Sequence, residues 1–202
     1  MSEFSTDNKL IKSFIRKKTN ILSNRELPYS RAMLAKLRNS IGKNPGSCPE
    51  VWGILFEDLD ERLQSVGSEL SYAEEAVYTA LTLYAVHQQG NTEPMNNGSE
   101  SFGTAVKRMI EPDGGNEKSV KKRFDAIVTA NDFIELSYHA RGLIRQMGTR
   151  GIPMDYGRFA ADLYLIHFPD SKNGIMLQWG RDYYKNANNE IVKEEEQADD
   201  QK

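Results

Sequence analysis

The stretch Ser71-Tyr-Ala-Glu-Glu-Ala-Val-Tyr-Thr-Ala-Leu-Thr-Leu-Tyr-Ala-Val-His-Gln-Gln89 decides the fold. Ser71 followed three residues later by Glu74 is a capping-box signal and predicts a helix start. From Tyr72 onward Ala76, Val77, Ala80, Leu81, Leu83, Tyr84 and Ala85 cover much of the helix circumference. Such a helix has little surface to offer water, so it is expected at the centre of a bundle.

On its N-terminal side, residues 7–19 place Leu10, Ile11, Phe14 and Ile15 on one helical face, with Lys9, Lys12 and Arg16 opposite and Asp7 as a candidate N-cap. Ser30 is the expected cap of a helix 31–41, with Met33, Leu34, Leu37 and Ile41 inward and Arg31 and Arg38 on a shared outer face. A breaker-rich link, 42–49, leads to one or two short acidic helices across 50–66, where Trp52, Leu55, Phe56, Leu59 and Leu63 are the expected apolar contacts. On the C-terminal side, residues 90–101, GNTEPMNNGSES, are loop chemistry and the candidate domain boundary. Helices are then expected over 102–111, 117–130 and 132–147, from an Asp155 cap through His167, and over 175–186, with a turn at 169–174. No stretch alternates with period two. The reading is therefore all-α, with eight to nine helices in two small bundles, residues 1–95 and 96–186. An acidic tail, 187–202, is expected to be disordered.

The chain has 202 residues and a formal charge of −3, but the charge is segregated. Residues 9–38 carry nine Lys/Arg and one acid, Glu26, netting +8. Residues 50–75 carry eight Asp/Glu against Arg62, netting −7, and the tail nets −4. The local asymmetry says more about partners than the overall pI. No apolar run approaches the ~20 residues needed to span a bilayer. The opening MSEFSTDNKL has no apolar core of a signal peptide, so a cytoplasmic protein is expected and the sequon at Asn97 is expected to be unused.

Little points to catalysis. His87, His139 and His167 fall on three different expected helices, with no histidine or cysteine at metal-ligand spacing. The single cysteine, Cys48, builds neither a disulfide framework nor a zinc site. Neither glycine-rich phosphate fingerprint occurs, and acidic pairs such as Asp58/Asp60 do not converge on one helix face. The expectation is a binding protein with no metal and no cofactor. The positive signal is basic and aromatic. Ile134, Tyr138, Arg141 and Arg145 form a stripe beside the core face of their helix, a pattern suited to phosphate contact with base stacking. Alternatively, Tyr138 and Arg141 cover the core edge with their apolar stems. Lys107 and Arg108 lie opposite an apolar face, and Lys118 and Lys122 pair at i, i+4 with Arg123 nearby.

Three groups of motifs resemble a known family. They are Arg31-Ala-Met-Leu-Ala-Lys-Leu-Arg38 with Pro49-x-x-Trp52; Ala76 to Gly90 with Ser101-Phe-Gly-Thr-Ala105; and Val120-Lys-Lys-Arg-Phe-Asp-Ala126, His139-Ala-Arg-Gly-Leu-Ile144, Gly151-Ile-Pro-Met-Asp155 and Trp179-Gly-Arg-Asp-Tyr-Tyr184. In order and spacing they resemble the CasB family, the small subunit of the type I-E CRISPR Cascade surveillance complex. The resemblance spans roughly residues 25–185. It implies a two-bundle helical fold and a role without catalysis: two copies lie between the crRNA-bearing backbone and the large subunit and help hold opened DNA. It also implies nucleic-acid contacts at Arg31, Arg38, Lys121, Lys122, Arg123, Arg141 and Arg181, although Arg181 has a structural alternative beside Trp179 and Tyr183. Helical geometry adds Lys107, Arg108 and Arg145. The acidic segment 50–75 departs from a simply basic subunit and is expected to face solvent or basic protein partners. The competing reading is a helical scaffold that binds only proteins.

Overall fold

A computed structural model describes residues 3–185, so the expected acidic tail, 187–202, lies outside the described residues. Among these, nine α-helices follow one another: α1 Glu3–Ser23, α2 Pro28–Ser40, α3 Trp52–Phe56, α4 Tyr72–His87, α5 Phe102–Lys107, α6 Glu117–Val128, α7 Phe133–Thr149, α8 Tyr156–Ile166 and α9 Pro169–Tyr184. The described residues contain no β-strand beyond a single bridge between Asn96 and Met154. The all-α expectation holds.

The capping box forms as expected at α4: Ser71 Oγ accepts from Glu74 N, and Glu74 Oε2 accepts from Ser71 N at 2.7 Å. Residues around the whole circumference of α4 are buried, because α1 and α2 cover one side and α7 and α8 the other. α1 also lies along α8, α5 packs on α9, and α6 packs on α7. Two glycines permit the closest approaches. A Cβ on Gly103 would sit 2.2 Å from the Trp179 carbonyl oxygen, so α5 meets α9 backbone to backbone. A Cβ on Gly148 would lie 2.8 Å from the His87 carbonyl oxygen, where α7 crosses the end of α4.

The loop 90–101 is tied into these contacts. Met95 is buried, Asn96 Nδ2 donates to Thr19 Oγ1 at 2.8 Å, and Asn96 Oδ1 accepts from Tyr156 N at 2.9 Å. Nearby, the buried His87 ring is held at both nitrogens. A carbonyl can only accept, so Nε2 carries the proton toward Ile152 O at 2.9 Å. Nδ1 then accepts from the Tyr156 hydroxyl at 3.0 Å. Burial holds the His87 pKa down at about 4.

Several local expectations are corrected. Asp7 lies inside α1 and does not cap it. Its carboxylate accepts from Arg62 Nε at 2.6 Å and from the Tyr164 hydroxyl at 3.0 Å, bridging α1 to the 61–63 turn and α8. Ser30 also lies inside its helix, which begins at Pro28, a residue suited to a first turn. The Ser30 hydroxyl donates to Ile21 O instead. Trp52 is partly exposed at the edge of the fold rather than a core contact. α9 starts at Pro169, so the expected turn at 169–174 is its first turn, again with proline at the N-terminus. By contrast, Asp155 caps α8 as expected, its Oδ1 accepting from Arg158 N at 2.9 Å.

Candidate nucleic-acid interface

α6 and α7 form a hairpin whose inner faces bury Val120, Phe124 and Ile127 on one side and Leu136, Ala140, Leu143, Ile144 and Met147 on the other. At 100° per residue, Ile134, Tyr138, Arg141 and Arg145 fall opposite this core, not beside it. Ile134 is 78 % and Tyr138 74 % exposed, so neither ring nor stem is spent on covering the core edge. Arg141 and Arg145 are exposed on the same stripe, and among the described residues neither has an ion-pair or hydrogen-bond partner. On α6, Lys118 and Lys122 point away from the core with Arg123 on the flank, likewise exposed and without a described partner. Lys121 differs: its ammonium pairs with Asp125 at 2.6 Å, and this hydrogen bond raises its pKa.

A second group gathers where α5 and α6 meet the end of α9. Lys107 Nζ lies 5.6 Å from the centroid of the Tyr183 ring, which stacks on Phe124 at 4.8 Å. Tyr184, in edge contact with Tyr183 at 4.9 Å, reaches the field of Lys121. The fold thus brings Lys107 and Lys121 to one corner through two tyrosines that the sequence offered only as part of a closing motif. Arg108 is drawn onto Glu100 at 2.5 Å. Arg181 is exposed on α9 with no described partner, while the neighbouring Asp182 turns inward to Arg158 at 2.8 Å. Beneath it Trp179 Nε1 donates to Asp162 Oδ2 at 2.7 Å, yet burial still pushes the Asp162 carboxyl up to about 6.

The cations of the N-terminal half are spent differently. Arg31 donates to the carbonyls of Arg25 and Glu26 at 2.7 and 2.9 Å, closing the α1–α2 turn. Arg38 donates to Ala85 O at 3.3 Å, in the last turn of α4, where free carbonyls and the helix dipole favour cations, and Arg25 donates to Asn91 O in the loop beyond it. Burial, and then the neighbouring Arg25 charge, lower the Arg38 pKa. Arg16 pairs with Asp155 at 2.8 Å, and Lys17 and Lys18 reach Asp58 at 3.0 and 3.5 Å. The acidic segment therefore answers part of the basic one within the molecule. Sequence reading missed this because the pairs join residues up to 139 positions apart.

Among the described residues no group of His, Cys, Asp and Glu is arranged to hold a metal ion, and no helix is long and apolar enough to cross a membrane. His167 is packed between the rings of Tyr72 and Phe133 at 4.5 and 4.2 Å, and burial holds its pKa down at about 4. His139 lies 3.7 Å from Glu135. Cys48 is buried and unpaired.

Fold and surface together define a class: an all-helical protein with an unshielded basic and aromatic face on one helical hairpin. Residues 33–184 match the model of a family described as CRISPR-associated protein Cse2. The chain belongs to the Cse2 family. Its fold is similar to the crystal structure of CasB from Thermobifida fusca, at 27 % identity and a TM-score of 0.72, covering 89 % of this chain and 98 % of that one. A chain of a CRISPR RNA-guided surveillance complex has the same fold at 16 % identity and a TM-score of 0.66, covering 88 % of this chain and 93 % of that one. A search of curated proteins finds no match.

Proposed function

We propose that this protein is the non-catalytic small subunit of a crRNA-guided surveillance complex, Cascade, in CRISPR antiviral defence. In this reading it contacts nucleic-acid backbone through basic helix faces and stabilises the opened target DNA. Its neighbours are the backbone and large subunits, a second copy of itself, and crRNA-paired or displaced single-stranded DNA, in the cytoplasm. The observation that carries the reading is the outward row of Arg141 and Arg145 beside Tyr138, with Lys122 and Arg123 on the adjacent helix, in a member of the Cse2 family. Cations without internal partners are available to phosphate, and each adds modestly to an affinity that falls with salt. An exposed aromatic on the same stripe suits unpaired bases. Exchanging a DNA duplex for an RNA–DNA heteroduplex is nearly balanced, a logic established for another CRISPR effector, so a few such contacts are enough to tip it.

Fluorescence anisotropy with single-stranded DNA over a salt series tests the reading, on the free protein and on the reconstituted complex. Binding that weakens steeply with salt is expected. Affinity absent from both, or indifferent to salt, defeats the direct-contact part.

The second reading, a scaffold that binds only proteins, draws on the exposed Leu27 and Tyr29 at the α1–α2 turn, apolar surface of little use to phosphate. Charge reversal at Arg141 and Lys122, which have no described internal partner, separates the two. Lost DNA binding with intact assembly favours the first, and lost assembly with intact DNA binding favours the second.

A further inference from the structure

Trp52 opens α3 near the start of the acidic segment, and the nucleic-acid reading makes no use of it. Its indole N–H donates to Pro45 O at 2.8 Å, which fixes the ring against the 45–47 turn, yet the residue remains 42 % exposed. The ring lines a cleft of about 260 Å³ between that turn, α3 and the chain leading into α4, with Pro45, Phe56 and Leu70 among its walls. Two carboxylates complete the lining. Glu74 is buried and oriented by the capping box; Glu69 is exposed and has no cationic partner among the described residues. The surrounding segment, 50–75, nets −7.

A cleft below the ~300–1,000 Å³ of small-molecule sites suits a single long side chain. The two lining carboxylates repel phosphate and other anions. A fixed, exposed indole beside a free carboxylate matches one side-chain chemistry best. A planar guanidinium stacks on the indole face and offers its N–H fork to the carboxylate, whereas an ammonium gains only point attraction. We propose that the Trp52–Glu69 cleft receives an arginine side chain from a protein neighbour, making the acidic end of the molecule a protein-docking surface distinct from the basic hairpin. The proposal rests on the reading that this protein works inside a larger assembly.

The chain has two tryptophans, and Trp179 is fully buried, so exposure-sensitive emission reports on Trp52. The free protein is titrated with blocked Gly-Arg-Gly peptide and with its lysine and citrulline counterparts. The arginine peptide is expected to change Trp52 emission saturably, with a Kd on the order of 1 mM, as befits one side chain outside its full interface. Lysine binds more weakly and citrulline not at all. Glu69→Gln, an exposed change that leaves the core untouched, weakens the arginine response about fivefold. Glu57→Gln, in the same segment but outside the cleft lining, leaves it unchanged. An equal response to citrulline, equal effects of the two Gln variants, or no saturable response up to about 10 mM overturns the proposal. A second arm labels this chain with 5-fluorotryptophan and assembles it with unlabelled partners. The Trp52 resonance is expected to shift on assembly, and an unchanged resonance overturns the partner assignment. Neither arm uses a DNA-binding readout, so the nucleic-acid reading stands or falls separately.

Discussion

Residues 9–38 carry nine lysines and arginines and net +8, while residues 118–145 carry six and net only +3. By sequence the first region is the stronger candidate for phosphate. In the fold it is the more heavily neutralised. Arg16, Lys17 and Lys18 face Asp155 and Asp58, and Arg25, Arg31 and Arg38 donate to backbone carbonyls. On the second region Lys118, Lys122, Arg123, Arg141 and Arg145 have no described partner, and only Lys121 is paired. What reaches a ligand is charge left over after internal pairing, and one-dimensional charge counts do not measure it.

Four variants test whether internal pairing decides which cations meet DNA. The largest effect is expected from Asp155→Ala, which removes the α8 cap and leaves Arg16 without its carboxylate. A loss of about 2–3 kcal/mol in unfolding free energy is expected by denaturant titration. DNA affinity should stay within about twofold, since Arg16 serves the fold. A large gain in DNA affinity in a folded variant would bring α1 into the interface.

Next comes the double reversal Arg141→Glu with Arg145→Glu. Single-stranded DNA affinity is expected to fall about thirtyfold, close to 2 kcal/mol, with a shallower salt slope and an unchanged melting temperature. Unchanged affinity would remove α7 from the interface.

The third concerns the core under the α8–α9 contact. Asp162, raised to about 6 from the ordinary 3.8, binds a proton in the folded state that the unfolded chain has already released. Its contribution therefore costs stability as pH rises from about 4 to about 6, and the full cost persists above that window. Asp162→Asn is expected to stabilise the protein at pH 7.5 by on the order of 1–2 kcal/mol, with no gain near pH 3.5. His87 acts in the opposite sense. With its folded pKa held at about 4, stability is lost as pH falls from 6.5 toward 4. Asp162→Asn should therefore steepen the acid-side loss measured by thermal melts across pH 4–6.5.

The smallest effect is the most direct test of the comparison. Asp58→Asn releases the exposed Lys17, while Lys18 stays buried over Phe14, without changing side-chain size. If internal pairing is what silences α1, low-salt DNA affinity rises about twofold to threefold. A neutral result in a folded variant would mean that the α1 cations are misplaced for DNA and not merely neutralised.

Much of the helix pattern was legible in the sequence because it is local. The capping box at Ser71, the Asp155 cap and the all-round apolar α4 follow from side chains within a turn or two of one another. The errors were also local in kind. Proline at the first turn of α2 and α9 extended helices beyond the hydroxyl or turn residues expected to bound them. The candidate site was half legible. Periodicity found the Ile134–Arg145 stripe and Lys122, but not whether the stripe faced solvent. It did not show that Tyr183 and Tyr184 gather Lys107 and Lys121.

By itself the sequence determined the helices and their apolar faces, since backbone propensity and 3.6-residue periodicity act over a few residues. It also carried, in ordered motifs, the family membership that the match over residues 33–184 bears out. Only the tertiary structure decided which charges remain available. An ion pair or charge-assisted hydrogen bond needs two groups within about 4 Å, and the partners of Arg16, Lys17, Arg62 and Arg38 lie dozens of residues away along the chain.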